Sequence, residues 1–255
     1  MIELRNLTRH YGEIVAVEDV SLTVKDNELL VLLGSSGSGK TTTLQMINRL
    51  VEPTAGQVLL DGEDVSTVAD HELRRRIGYC FQQIGLFPHM TVAQNVGITP
   101  RLLGWDTTRI RKRVDEMLDV VELEPTLYSE RYPAELSGGE QQRVGVARAL
   151  AAAPRVMLFD EPFGAVDPLT RDRLQVSLQR IRNEIGVTAV FVTHDMVEAL
   201  LLADRVAVMH RGRLVQIGTP SQLVKHPADE YVEQLMSTPK RQADVVERLL
   251  HEGSP

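Results

Sequence analysis

What the chain lacks narrows the field first. Among 255 residues there is one cysteine, Cys80, so no internal disulfide can form and a reducing compartment fits. A basic excess is also missing: 28 Lys and Arg face 35 Asp and Glu, for a net charge of −7. With a sequence pI of about 5.6, this argues against a nucleic-acid backbone as the main partner, which needs a basic face. Long hydrophobic runs are absent, since no apolar stretch approaches the ~20 residues of a membrane span. The opening MIELRNLTRHYG is charged and has no apolar core of signal-peptide length. The chain is therefore expected to be soluble, with any membrane role supplied through a partner. No low-complexity tract or internal repeat is visible.

What is present centres on Gly34 to Thr41, GSSGSGKT. The segment follows the apolar run LLVLL and precedes the amphipathic TTLQMINRL. Strand, glycine-rich loop and helix start is the setting of a phosphate-binding loop. Gly34, Gly37 and Gly39 let the backbone turn and aim several N–H groups at one anion. The helix starting near Lys40 adds the positive end of its dipole. Lys40 is placed to reach the β- and γ-phosphates of a nucleotide, and the Thr41 hydroxyl to hold Mg²⁺.

Apolar residues make up 43% of the chain, enough for one large α/β domain or two smaller lobes. Alternation predicts strands over Ile2 to Thr8 and Val20 to Val24. The helix after the loop should run to about Leu50, and QVLLDG is a short strand. HELRRR reads as a helix and IGYCFQQ as a strand. Residues 92 to 132 hold helical patterns, notably Thr108 to Val121, with Ile110, Val114, Met117, Leu118 and Val121 at helical spacing. We read this region as an inserted helical lobe. LSGGEQQRVGVARALAAAP is a helix opened by Ser137-Gly138-Gly139 and closed by Pro154. RVMLFDEP and VTAVFVTHD are buried strands, with a helix from Leu169 to Ile185 between them. RVAVMHRGRLVQIGTP is a hairpin turned at Arg211-Gly212. Strands alternating with helices predict a largely parallel core sheet.

Asp160 and Glu161 end an apolar strand, where charges are rarely placed without a partner such as a cation. Beside a phosphate loop, Asp160 is the expected Mg²⁺ carboxylate, acting directly or through the ion's bound water, and Glu161 the group that polarises the attacking water. The plain alternative is that both acids cap the next turn. His194 ends another buried strand. A lone histidine is more often structural, but the strand ends at Gly34, Asp160 and His194 should open on one sheet edge, where ligands of α/β folds collect. Its role would be to touch the γ-phosphate and hold Glu161 and the water in place. Gln82 offers a neutral carbonyl that can complete an Mg²⁺ shell, although Gln83 competes for the role by register. Tyr11, an aromatic just before Gly12, is either a strand-end core residue or a stacking platform for adenine.

GSSGSGKT, Gln82, LSGGEQQR, FDEP, GAVD and VTHD occur in that order. Together they resemble the nucleotide-binding subunit of ABC transporters, over residues 1 to about 237. The resemblance implies an α/β P-loop NTPase cassette with a RecA-like core, an N-terminal antiparallel β-subdomain and a helical signature subdomain inserted at about 88–150. Residues 238–255 form a polar C-terminal helix or tail. By resemblance, Gly34, Ser35, Ser36, Gly37, Ser38, Gly39, Lys40 and Thr41 match Walker A, with Thr42 a further phosphate contact. Tyr11 matches the A-loop aromatic and Gln82 the Q-loop. Leu136, Ser137, Gly138, Gly139 and Glu140 match the signature, with Glu140 where the strict form has Gln. Asp160 and Glu161 match Walker B and its catalytic glutamate, Asp167 the D-loop, and His194 the switch histidine. ATP and Mg²⁺ are the implied cofactors, and an active ATPase is expected.

Ser137-Gly138-Gly139 opens a second helix and hence a second anion-binding N-terminus. In this family that surface faces the ATP of another subunit, so two ATPs are sandwiched in a head-to-tail homodimer that closes on ATP and reopens after hydrolysis. INRLVEPTAG, the segment from ELRRR to AQNV, DPLTRDRLQ and HPADEYVEQ look most like ATPase subunits of bacterial importers for the osmoprotectants glycine betaine, choline or carnitine. That implies transmembrane permease subunits as partners, an extracytoplasmic solute-binding protein as an indirect one, no nucleic acid, and a place at the cytoplasmic face of the membrane. Ile84 to Met90 is expected as an exposed apolar loop fitted to a coupling helix of the permease, or else as core filling of the helical lobe. Arg74 to Arg76 are expected on a solvated helix face. Some relatives carry paired CBS domains after the cassette, and none is expected here. The competing expectations are the same ATPase role for another solute, such as an amino acid or polyamine, and a soluble ABC protein that clamps nucleic acid.

Overall fold

The computed structural model describes residues 1–82, 85–164 and 166–239. Strand β1 (Ile2–Tyr11) and strand β2 (Ile14–Val24) pair antiparallel around Gly12. Strand β3 (Leu29–Leu33) is five buried apolar residues, and helix α1 (Lys40–Ile47) follows the glycine loop. Strands β4 (Ala55–Leu60) and β5 (Glu63–Asp64) return to the first pair, giving an antiparallel sheet ordered β2-β1-β4-β5.

Helix α2 (Asp70–Arg76) leads into strand β6 (Ile77–Cys80). A run of helices comes next: α3 (Val92–Val96), α4 (Ile98–Leu102), α5 (Thr107–Val120), α6 (Pro125–Tyr128) and α7 (Gly138–Ala151). Then strands and helices alternate as β7 (Val156–Asp160), α8 (Pro168–Ile185), β8 (Thr188–Thr193), α9 (Met196–Leu202) and β9 (Arg205–His210). Strand β10 (Arg213–Gly218) and helix α10 (Pro220–Lys225) follow, and residues 230–239 are again helical.

The second sheet has the order β10-β9-β3-β8-β7-β6. It is parallel throughout except for the β9–β10 hairpin. Period-two alternation divides the core between its faces. Leu30 and Leu32 of β3, with Val190 and Val192 of β8, meet α1 and the antiparallel sheet through Leu44, Met46 and Ile47. Leu29, Val31 and Leu33, with Ala189 and Phe191, face the helical side, where Val114, Leu118, Val144 and Leu150 pack. Each Val, Leu, Ile, Met or Phe among these contributes about 1.5–3 kcal/mol on full burial.

Some expectations on length shift. Strand β2 starts at Ile14 rather than Val20, because pairing with β1 continues through residues whose side chains face solvent; Ile14 is 70% exposed. Helix α1 stops at Ile47 instead of about Leu50, since Arg49 takes φ 54°, a conformation that ends helical hydrogen bonding. Strand β6 ends at Cys80, which leaves Gln82 in the following loop. Arg74, Arg75 and Arg76 lie on an exposed helix face, and the Arg74 guanidinium also donates to the Asn48 and Arg49 carbonyls at the end of α1, and to Asp70. Gln83, Ile84, Ala165 and the tail from residue 240 lie outside the described residues.

Candidate nucleotide site

The C-terminal ends of β3, β8, β7 and β6 are successive neighbours and lie level: Leu33 is in register with Thr193, Asp160 with Val192, and Cys80 with Phe159. The glycine loop, His194, the Asp160-Glu161 pair and Gln82 therefore emerge side by side from one sheet edge, at about 4.8 Å per strand.

In the glycine loop the ammonium of Lys40 folds back on the turn. Its Nζ donates to the carbonyls of Gly34 at 2.8 Å and Ser35 at 2.9 Å, and reaches Ser38 Oγ at 3.4 Å. Lys40 is only 5% exposed. Burial lowers its pKa, and the nearby Glu161 and Asp160 oppose that shift. Gly39 caps α1 at φ 98° and supplies no side-chain cap, so the first amides of α1 keep no side-chain acceptor. Ser35, Ser36 and Gly37 are exposed above the buried Gly34 and Ser38. At Gly34 the constraint is space, since a Cβ would lie 2.2 Å from the Met209 carbonyl.

Thr41 Oγ1 donates to Asp160 Oδ1 at 2.9 Å. Asp160 is buried, and burial raises its pKa against the bond from Thr41. A hydroxyl and a buried carboxylate side by side form an all-oxygen donor pair, which suits a hard cation such as Mg²⁺. Beyond Asp160, Glu161 takes φ 47°, a strained setting that costs on the order of 1–3 kcal/mol and recurs at functional sites. It aims the carboxylate at two neighbours. His194 Nδ1 lies 3.1 Å from Glu161 Oε2, and Gln82 Nε2 reaches the same oxygen at 3.4 Å. His194 is 65% exposed and the Glu161 side chain 19%, so the carboxylate is half-sheltered while the ring faces outward.

Three other sequence-derived residues stand apart. Among the described residues, Tyr11, Ser137 and Asp167 make no hydrogen bond to this constellation. Tyr11 is exposed at the end of β1 with the Arg9 guanidinium 4.4 Å from its ring centroid. Asp167 caps α8 by accepting from the Thr170 N–H at 3.0 Å. Ser137 caps α7 in a reciprocal box: its Oγ accepts from the Glu140 N–H, and Glu140 Oε2 accepts from the Ser137 N–H. Glu140 Oε1 also accepts from the Tyr128 hydroxyl at 2.6 Å, and that bond is the main reason its pKa is lowered. Glu140 thus has a partner within the chain at the position where a strict signature has Gln. Gly138 is exposed, and a Cβ there would meet nothing within 4 Å among the described residues.

Sequence reasoning missed Tyr231. Its hydroxyl accepts from the Ser35 N–H at 3.2 Å, and its ring stacks on His210 with centroids 4.0 Å apart. The Gly34–Ser35 peptide is thereby held at both ends, its oxygen by Lys40 and its N–H by Tyr231. No local pattern marks a tyrosine 196 residues away as part of the loop.

Comparison with known proteins agrees with this geometry. The family model described as "ABC transporter" matches residues 17–164. The choline transport ATP-binding protein OpuBA of Bacillus subtilis is 48% identical over 256 residues, 100% of this chain and 65% of OpuBA. The glycine betaine uptake system ATP-binding protein YehX of Escherichia coli is 50% identical over 234 residues, 92% of this chain and 76% of YehX. The chain thus spans slightly less than two thirds of OpuBA. Among solved structures, a dimeric post-hydrolysis state of the ATP-binding cassette MJ0796 bound to ADP and Pi superposes with a TM-score of 0.80 at 35% identity, covering 86% of this chain and 99% of that one.

Proposed function

The chain belongs to the ABC transporter family, and on that premise we propose that it is the ATP-hydrolysing subunit of an importer for a quaternary-amine osmoprotectant such as glycine betaine, choline or carnitine. The observation that carries the reading is the convergence of Lys40, Thr41–Asp160 and Glu161–His194–Gln82 on adjacent strand ends.

The loop from Gly34 to Thr42 wraps the phosphates of ATP, with its amides and the α1 N-terminus facing the negative charge. Lys40 turns from the Gly34 and Ser35 carbonyls to the β- and γ-oxygens. Thr41, Asp160 and Gln82 hold Mg²⁺, which when bound neutralises developing phosphate charge. Glu161 accepts a proton from the attacking water, and its place is fixed by His194 and Gln82. Tyr11 offers a ring face to adenine.

Ser137, Gly138 and Gly139 present a helix N-terminus with Ser137 and Gly138 exposed, and no contact among the described residues requires glycine at 138. That supports close approach of an external group, which we assign to the ATP held by a second copy, with Asp167 at the same interface. A groove of about 610 Å³ beside the Gln82 loop is lined by Arg74, Arg75, Phe81, Phe87, Ile98 and Leu102. We assign it to a permease coupling segment that holds residues 1–237 at the cytoplasmic face of the membrane. No described helix is long and apolar enough to cross a membrane. The solute-binding protein then acts only through the permease.

The test is isolation from native membranes in mild detergent, followed by ATPase assays of the co-purifying assembly with its solute receptor and a panel of quaternary amines. Stimulation by betaine, choline or carnitine is the expected result. A permease that answers to none of them would keep the ATPase and discard the solute. Recovery without any permease would discard the transport reading.

A further inference from the structure

Behind His194 lies a buried polar cluster that the chemistry above does not use. Glu198 of α9 is 5% exposed. Its Oε2 accepts from Thr193 Oγ1 at 2.6 Å, and its Oε1 from Gln175 Nε2 at 3.2 Å. Thr193 Oγ1 in turn accepts from the Asp195 N–H at 2.9 Å. Both neighbours of His194 are therefore pinned by one hydroxyl, and that hydroxyl is pinned by Glu198. Asp195 Oδ1 accepts from the Val197 and Glu198 amides, while its Oδ2 lies 3.5 Å from the Arg171 guanidinium. Arg171 also donates to the Val166 carbonyl at 3.3 Å, immediately before Asp167.

Gln175 and Arg171 are four residues apart on α8 and so share a face. Two polar links therefore join the His194 turn to the helix that Asp167 caps. A buried carboxylate is costly to desolvate, and apolar residues of similar volume usually serve stability as well or better. Burial pushes the pKa of Glu198 upward, with the Thr193 bond opposing. Such a group is explained better by a geometric duty than by stability. His194 has that need: its ring is 65% exposed and, among the described residues, its polar contact is Glu161, so its direction depends on the backbone turn beneath it.

We infer that Glu198 is a positioning residue for His194, locking its turn through Thr193 and tying that turn through Gln175 to the helix headed by Asp167. The inference rests on the proposed role of His194, and the experiment separates the two. Steady-state ATP hydrolysis is measured for the full chain as wild type, His194→Ala, Glu198→Ala and the double variant. A misdirected ring should lower kcat about 10- to 100-fold while KM for ATP stays within about 2-fold. In the His194→Ala background, Glu198→Ala should cost nothing further in kcat, because positioning has no object left. Glu198→Gln retains an acceptor for Thr193 and should recover most of the rate. If Glu198→Ala fails to fold, Gln175→Leu and Thr193→Val replace it in the same cycle. Losses that multiply in the double variant, or KM and kcat that worsen together with Tm, overturn the inference and leave the histidine's role standing. Wild-type turnover in His194→Ala overturns that role itself.

Discussion

The Glu161 carboxylate and the His194 ring leave adjacent strands, β7 and β8, and meet at 3.1 Å. Neither residue is held by its own strand alone. Glu161 stands in a left-handed conformation, and its amide N–H is tied to the Val192 carbonyl of β8 at 3.0 Å. Replacing Glu161 with Gln keeps the shape and removes the base. Turnover should fall by about 10²–10⁴-fold while ATP affinity holds, because general-base catalysis acts only in the transition state. Phosphate release beside equilibrium binding of ATP checks both halves.

Lys40 is the one cation of the loop, and its three acceptors are loop groups. Lys40→Ala removes the charge that must meet the phosphates. Charge-assisted hydrogen bonds are worth about 1.5–3 kcal/mol, so ATP affinity should weaken by roughly 10- to 150-fold. Calorimetric titration reads this directly, and unchanged affinity would remove the central assignment.

Tyr231→Phe deletes one hydroxyl and keeps the ring against His210. The Ser35 N–H loses its acceptor, and the Gly34–Ser35 peptide is then held at its oxygen by Lys40 alone. A net loss of about 1 kcal/mol corresponds to a KM for ATP raised roughly 5-fold. The kcat should change little, since no reacting atom is touched.

Glu140 and Tyr128 provide a pH-dependent contribution. The hydroxyl bond lowers the Glu140 pKa in the fold, so its stabilisation is present above the unfolded carboxylate range and is lost as pH falls through the folded pKa. Tyr128→Phe should cost about 1 kcal/mol at neutral pH, reduced from the buried-site value by solvent. The gap in Tm from wild type should close as Glu140 protonates. Melting curves taken from pH 7 down through the carboxylate range would show it. A gap that persists after Glu140 is protonated would assign the effect to packing.

Cys80 is fully buried in the core, and burial pushes its thiol pKa up to about 12. The thiolate is the reactive form, so the native chain should release no colour with a disulfide reagent at neutral pH. One thiol per chain should react after denaturation. Rapid native reaction would show that β6 opens readily.

Much of this was legible locally. The glycine loop, the buried strands ending at Asp160 and His194, and the hairpin at Arg211-Gly212 each declare themselves within a dozen residues, because their spacing is their chemistry. What was hidden depends on distance along the chain or on exposed pairing. Strand β2 extends through Ile14 and Val15, whose exposed side chains mimic a loop. Glu198 reads as an ordinary helical acid until Gln175 and Thr193 are brought against it. Tyr231 sits in HPADEYVEQ, which carries resemblance but no sign of phosphate binding, and only the folded chain brings it to Ser35.

The place of β3 in the middle of the core sheet bears on the order in which the molecule is made. Leu33 finds its two partners in Thr193 and Val208, both much later in the sequence. The antiparallel sheet packs its buried face on Val190 and Val192, but its strand pairing closes by Asp64 and can begin while the ribosome is still working. The glycine loop cannot. At about 5–20 residues per second, it waits many seconds with an apolar strand unpaired, and long-range parallel pairing is slow to close. During synthesis the nucleotide site therefore forms late, and a nascent chain that already grips ATP has laid β8 and β9 beside β3.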